Sequence, residues 1–106
     1  MEPIEVTDDN YQREVLDAEQ PVLVDVWAPW CGPCKLVGPA AIRLASRNPD
    51  RFKLVMANME DFEKTAADLN VRATPTLLLF KNGQEIARRS GAIMESQLSS
   101  WLDQNL

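Results

Sequence analysis

Two cysteines, Cys31 and Cys34, lie within Trp30-Cys31-Gly32-Pro33-Cys34-Lys35, directly behind the apolar run Val22-Leu23-Val24-Asp25-Val26-Trp27. They are the only cysteines in the chain, and it contains no histidine. If both occupy the first turn of an α-helix, a rise of about 1.5 Å per residue at 3.6 residues per turn sets their Cα atoms roughly 5 Å apart. That separation suits a disulfide. Pro33 is tolerated in a first turn because its missing N–H would have no intrahelical partner there, and Gly32 removes bulk beside a sulfur that must meet another molecule. The free N–H groups and positive dipole end of such a helix favour a thiolate on Cys31. A thiolate is the attacking species in disulfide exchange.

Other uses of the pair fit less well. A structural zinc site takes about four ligands of Cys or His type, so no metal is expected within one chain. A bridge across so small a loop removes little unfolded-state entropy, which makes it a poor structural staple. The 16 acidic and 11 basic residues give a formal charge of -5, and the basic ones are scattered. No nucleic-acid footprint follows from that pattern. Apolar runs such as Leu77-Leu78-Leu79-Phe80 are far too short to span a bilayer, and the start Met1-Glu2-Pro3-Ile4 has no basic, apolar leader. A cytoplasmic, reducing setting is expected, where a Cys-x-x-Cys pair is catalytic or metal-binding more often than structural. With 106 residues, 45% of them hydrophobic, a single domain over 1–106 is expected.

In chain order, Ile4-Glu5-Val6 reads as an edge strand, followed by Thr7 or Asp8 as the N-cap of a helix with Tyr11, Val15 and Leu16 on one face. Asp8 and Asp9 suit a helix N-terminus. Val22 to Ala28 reads as a buried central strand because its apolar residues run nearly continuously. The next helix starts at the cysteines, carries Leu36, Val37, Ala41, Leu44 and Ala45, is kinked at Pro39 and stops at Asn48-Pro49. Phe52 to Met59 is a strand parallel to the previous one. Phe62, Ala66 and Leu69 mark a short helix ending near Asn70, and Asn82-Gly83 joins Thr76–Phe80 to a hairpin partner. Leu98, Trp101 and Leu102 line a C-terminal helix with Glu95 near its start. Arg88-Arg89 reads as a solvated strand end. Asp25 stands out, because an acidic group within a buried strand should have a raised pKa and serve as a proton acceptor, or else be structural and hydrogen-bonded.

Trp30-Cys31-Gly32-Pro33-Cys34-Lys35 after Val24-Asp25-Val26-Trp27-Ala28, then Ala73-Thr74-Pro75-Thr76 and Phe80-Lys81-Asn82-Gly83, make the chain resemble the thioredoxin family from about Ile4 to Leu106. The resemblance implies the thioredoxin fold, a three-layer α/β/α sandwich with a central mixed sheet of four to five strands and about four helices. It implies a protein-disulfide reductase needing no bound cofactor. Cys31, as the more exposed sulfur, would form a mixed disulfide that Cys34 resolves, with Asp25 helping to deprotonate Cys34. Its partners would be disulfide-containing proteins and a thioredoxin reductase, NADPH- or ferredoxin-linked, acting on a monomer. Trp30, Gly32, Pro33, Thr74, Pro75, Gly91 and Ala92 would form a shallow docking surface, with a cis bond at Pro75. Gly91 fits a strand-end glycine equally well.

Two departures bear on the site. Many thioredoxins carry a lysine facing the aspartate where this chain has Met56, and bacterial ones often have isoleucine where it has Thr74. Loss of a nearby cation disfavours the carboxylate further. An oxidase or isomerase of the same fold is disfavoured by the Gly-Pro dipeptide, since strongly oxidising relatives often hold a histidine there. A docking module with dispensable sulfurs is the alternative outside enzymology.

Overall fold

The uninterrupted apolar run forms the centre of the sheet. A computed structural model describes residues 3–106; Met1 and Glu2, on which the reading of the chain start rests, lie outside the described residues. Val22–Trp27 is β2, flanked by β3 (Lys53–Asn58) in parallel and β4 (Thr76–Lys81) in antiparallel orientation. Outside these lie β1 (Ile4–Glu5), parallel to β3, and β5 (Gln84–Ser90), antiparallel to β4, giving the order β1-β3-β2-β4-β5. Parallel pairing comes early in the chain and antiparallel pairing late, as expected.

Because alternate strand residues point to opposite faces, β2 feeds two cores. Val22, Val24 and Val26 join Phe62, Ala66 and Val71 on one face, under α2 (Glu63–Asp68). Leu23 joins Val37, Ala41, Leu44, Leu98 and Leu102 on the other, under α1 (Cys34–Arg47) and α3 (Glu95–Asn105). This is the three-layer thioredoxin fold, and it puts Asp25 on the α1 side. The Asn82-Gly83 hairpin forms with both φ angles positive, 53° and 78°, as its turn type requires.

Several local expectations are corrected by tertiary context. Tyr11, Val15 and Leu16 do face the core, but Gln12–Leu16 is a wide π turn, closed by the Asp17 N–H donating to the Gln12 carbonyl. The active-site helix begins at Cys34, so Cys31 precedes it. Leu36 points outward and is 70% exposed. Arg88 and Arg89 are exposed near the end of β5, as expected, and the Arg88 guanidinium in addition donates to the Leu69 and Asn70 carbonyls and to Glu85, tying β5 to the end of α2.

Asp8 does act at a helix N-terminus, but at that of α2. Its carboxylate accepts from the N–H groups of Lys64 and Thr65 and from the Thr65 hydroxyl, the last at 2.6 Å. Partial desolvation opposes the charge, but these donors prevail and hold the carboxyl below its ordinary pKa. Loss of such a cap costs about 1 kcal/mol. Asp8→Ala should therefore lower the urea midpoint at neutral pH. Because the folded pKa is depressed, the contribution is present above the unfolded value and fades as pH falls through the folded one. Equal midpoints for the two proteins at pH 7 would refute the cap.

Candidate redox site

The site is built where β2 hands over to α1. Trp27 ends the strand, and the Cys31 N–H donates to the Ala28 carbonyl at 3.1 Å, closing a turn that delivers Cys31 to the helix N-terminus. The Lys35 N–H then pairs with the Gly32 carbonyl, and the Leu36 and Val37 N–H groups with that of Pro33. Pro33 thus precedes the first helical residue without wasting a donor. Gly32 faces open space, with no atom within 4 Å of where a Cβ would stand.

Cys31 and Cys34 are joined in a disulfide, with Cα atoms 5.4 Å apart. The Cys34 N–H donates to Cys31 Sγ at 3.2 Å. That donor and the helix terminus both favour negative charge on Cys31 once the bond is reduced. The expected difference in exposure between the cysteines is not seen at residue level, since each is 7% exposed. What distinguishes them is position: Cys34 lies within α1, whereas Cys31 lies ahead of it and receives the amide.

Asp25 is fully buried, and neither carboxylate oxygen has a hydrogen-bond partner among the described residues. A Cβ placed on Gly38 would stand 3.7 Å from Asp25 Oδ2 and 3.6 Å from Met56 Cε. Cys34 and Gly38, four apart, share one face of α1. Asp25 therefore lies beneath the same helix face as Cys34, about one turn along. Met56 is its register neighbour on β3. With no ion-pair partner or hydrogen-bond donor among the described residues to offset desolvation, burial pushes the Asp25 carboxyl up to about 7. An open cleft lined by Cys34, Lys35, Gly38, Pro39 and Met56 lies over the residues that cover it.

Thr74-Pro75 is a cis peptide, and the Pro75 carbonyl accepts from the Gly91 N–H at 2.9 Å. Thr76 pairs with Val26 across β2 and β4 and with Ser90 across β4 and β5. The cysteine turn, the Thr74-Pro75 loop and Gly91-Ala92 consequently emerge at one end of the sheet. Gly91 has φ +92°, a backbone state that favours glycine. Trp30 is 71% exposed, Gly32, Pro33 and Ala92 are also exposed, Thr74 is half-buried and Pro75 is buried. Met59, which sequence reasoning did not select, packs against the cysteine cluster. The sequence places Met59 only at the end of the strand read over Phe52 to Met59, one residue past where β3 stops.

A family model described as thioredoxin matches residues 2–104. Among curated proteins the chain is similar to thioredoxin C-2 of Corynebacterium nephridii, 43% identical over 97% of this chain and 95% of that one. Similarity to a thioredoxin of Haemophilus influenzae is 39% over 99% and 98% of the two chains, and to thioredoxin 1 of a Nostoc species 40% over 96% and 95%.

Proposed function

Because the chain belongs to the thioredoxin family, and is by that membership a thiol–disulfide oxidoreductase acting on protein disulfides with a reductase as partner, we propose specific roles for its residues. Cys31, as thiolate, attacks one sulfur of a target disulfide, forming a mixed disulfide and expelling the other target sulfur as thiolate. Cys34 then passes its proton toward Asp25 and attacks Cys31 Sγ. This closes the Cys31–Cys34 disulfide and releases the second target thiolate, so two electrons have moved from the dithiol to the target. A carboxylate with a pKa about 7 takes a proton at neutral pH far more readily than an ordinary one. Asp25 shares no hydrogen bond with Cys34 in the oxidised structure, and a bridging water is proposed to carry the proton between them.

The observation that carries this reading is the Cys34 N–H held on Cys31 Sγ at the start of α1. Trp30, Gly32, Pro33, Thr74, Pro75, Gly91 and Ala92 are proposed to receive the target chain around that sulfur. Their common position at one end of the sheet supports this. The unit is read as one domain over 1–106, a cytoplasmic monomer, recharged by an NADPH- or ferredoxin-linked reductase. No helix among the described residues is long and apolar enough to cross a membrane. A reductant must have a potential below the glutathione poise. Equilibration of the Cys31–Cys34 pair with glutathione buffers should give a value below about -220 mV. A value well above that would overturn the direction of electron flow.

A further inference from the structure

Leu36 and Met94 are each 70% exposed, and both stand where a polar residue would ordinarily be found. Val37, Ala41, Leu44 and Ala45 form the buried stripe of α1, and Leu36 lies about 100° around the helix from Val37. A charged residue would serve the fold there. Met94 occupies the N-cap of α3, where Ser, Thr, Asp or Asn would supply a capping oxygen. Its own N–H is instead held by the Gln97 side chain at 3.0 Å, which fixes the backbone and leaves the thioether outside. Large apolar groups retained against such preferences are expected at functional surfaces.

The two side chains share one groove. Leu36 and Ala40 on α1 face Ala92, Ile93 and Met94 across an open channel of about 460 Å³. At its side Glu95 bridges to Arg43 at 2.6 Å and to Arg47, linking α3 to α1. The groove begins two residues past Cys34 and includes Ala92, so it continues the surface proposed above instead of forming a separate patch.

We propose that this groove is a subsite for disulfide-bonded polypeptides, binding a bulky apolar side chain a few residues from the target cysteine, with Leu36 and Met94 as specificity-determining residues. The proposal rests on the reading of Cys31 as the attacking sulfur. Continuity of the groove with the reactive end fixes the occupant. A target held at Cys31 must run its flanking chain over the neighbouring surface, and Leu36 and Ala40 stand about 3 and 9 Å along α1 from Cys34, a span of about three extended residues. A small disulfide has no flanking chain to lay along it. Methionine suits such a wall because its unbranched thioether adapts to differently shaped side chains.

Steady-state reduction of disulfide-bonded insulin and of a small aromatic disulfide, 5,5′-dithiobis(2-nitrobenzoate), should be compared for the native protein, Leu36→Gln, Met94→Gln and the double variant. Both positions are exposed, and circular dichroism would verify the fold. The double variant should raise KM for insulin at least about fivefold with kcat little changed, while the rate with the small disulfide and the reduction potential stay as they are. An unchanged KM for insulin, or an equal loss on both substrates, would overturn the subsite. If the native protein reduces neither substrate, the underlying redox reading fails instead.

Discussion

Cys34→Ser is expected to give a protein that attacks a disulfide once and then stops. Cys31 keeps the Ala28 turn and the helix terminus behind it, so the first step survives, but no thiol remains in α1 to displace the bound target. With a disulfide-bonded protein substrate, a one-to-one mixed disulfide should accumulate, visible by intact mass and dispersed by dithiothreitol. Cys31→Ser should form none, and both variants should lose at least about 10³-fold in turnover, since each removes a group on which the cycle depends. The asymmetry is the informative part. Equal trapping by the two variants would mean that position relative to α1 does not choose the nucleophile, and sustained turnover by Cys34→Ser would remove it as the resolving sulfur.

Much of this arrangement was legible because the signals are short-range. The unbroken run Val22–Trp27 announced a strand covered on both faces, and Asn82-Gly83 announced a hairpin, each through local chemistry. What escaped was decided over long distances. Asp8 was recognisable as a helix-capping residue, yet the helix it caps lies 57 residues on, with Thr65 as partner. Arg88 found its carbonyl partners 18 and 19 residues back. Tyr11 and Val15 have spacing that fits an α-helix, and the widened turn was not encoded in it. Leu36 was placed with the core residues of α1 because an apolar residue in a helical window was counted without its angle about the axis. The facing of Asp25 and Met56 depended on register between β2 and β3, which the family resemblance supplied and the strand pairing bears out.

That pair leads to the second large effect. In the oxidised protein, where the cysteines do not titrate, Asp25→Asn should abolish most of a pH dependence that the native chain displays. The Asp25 carboxyl is raised from 3.8 to about 7 by burial. The folded state thus binds a proton that the unfolded state has lost, and stability falls as pH rises between those two values. It is fully present below pH 3.8, declines through the interval and has been lost above pH 7. A shift of this size corresponds to about 4 kcal/mol. Urea unfolding from pH 4 to pH 8.5 should therefore show the native protein losing about that much relative to Asp25→Asn. Subtracting the two curves cancels any constant penalty from burying the amide. Parallel curves would show that Asp25 is ionised at no unusual cost. Met56→Lys supplies the complementary arm: a cation opposite Asp25 stabilises the carboxylate, so carbon-13 NMR should find its titration moved toward lower pH. An unmoved titration would show that solvent or backbone, and not the residue opposite on β3, governs the charge behind Cys34.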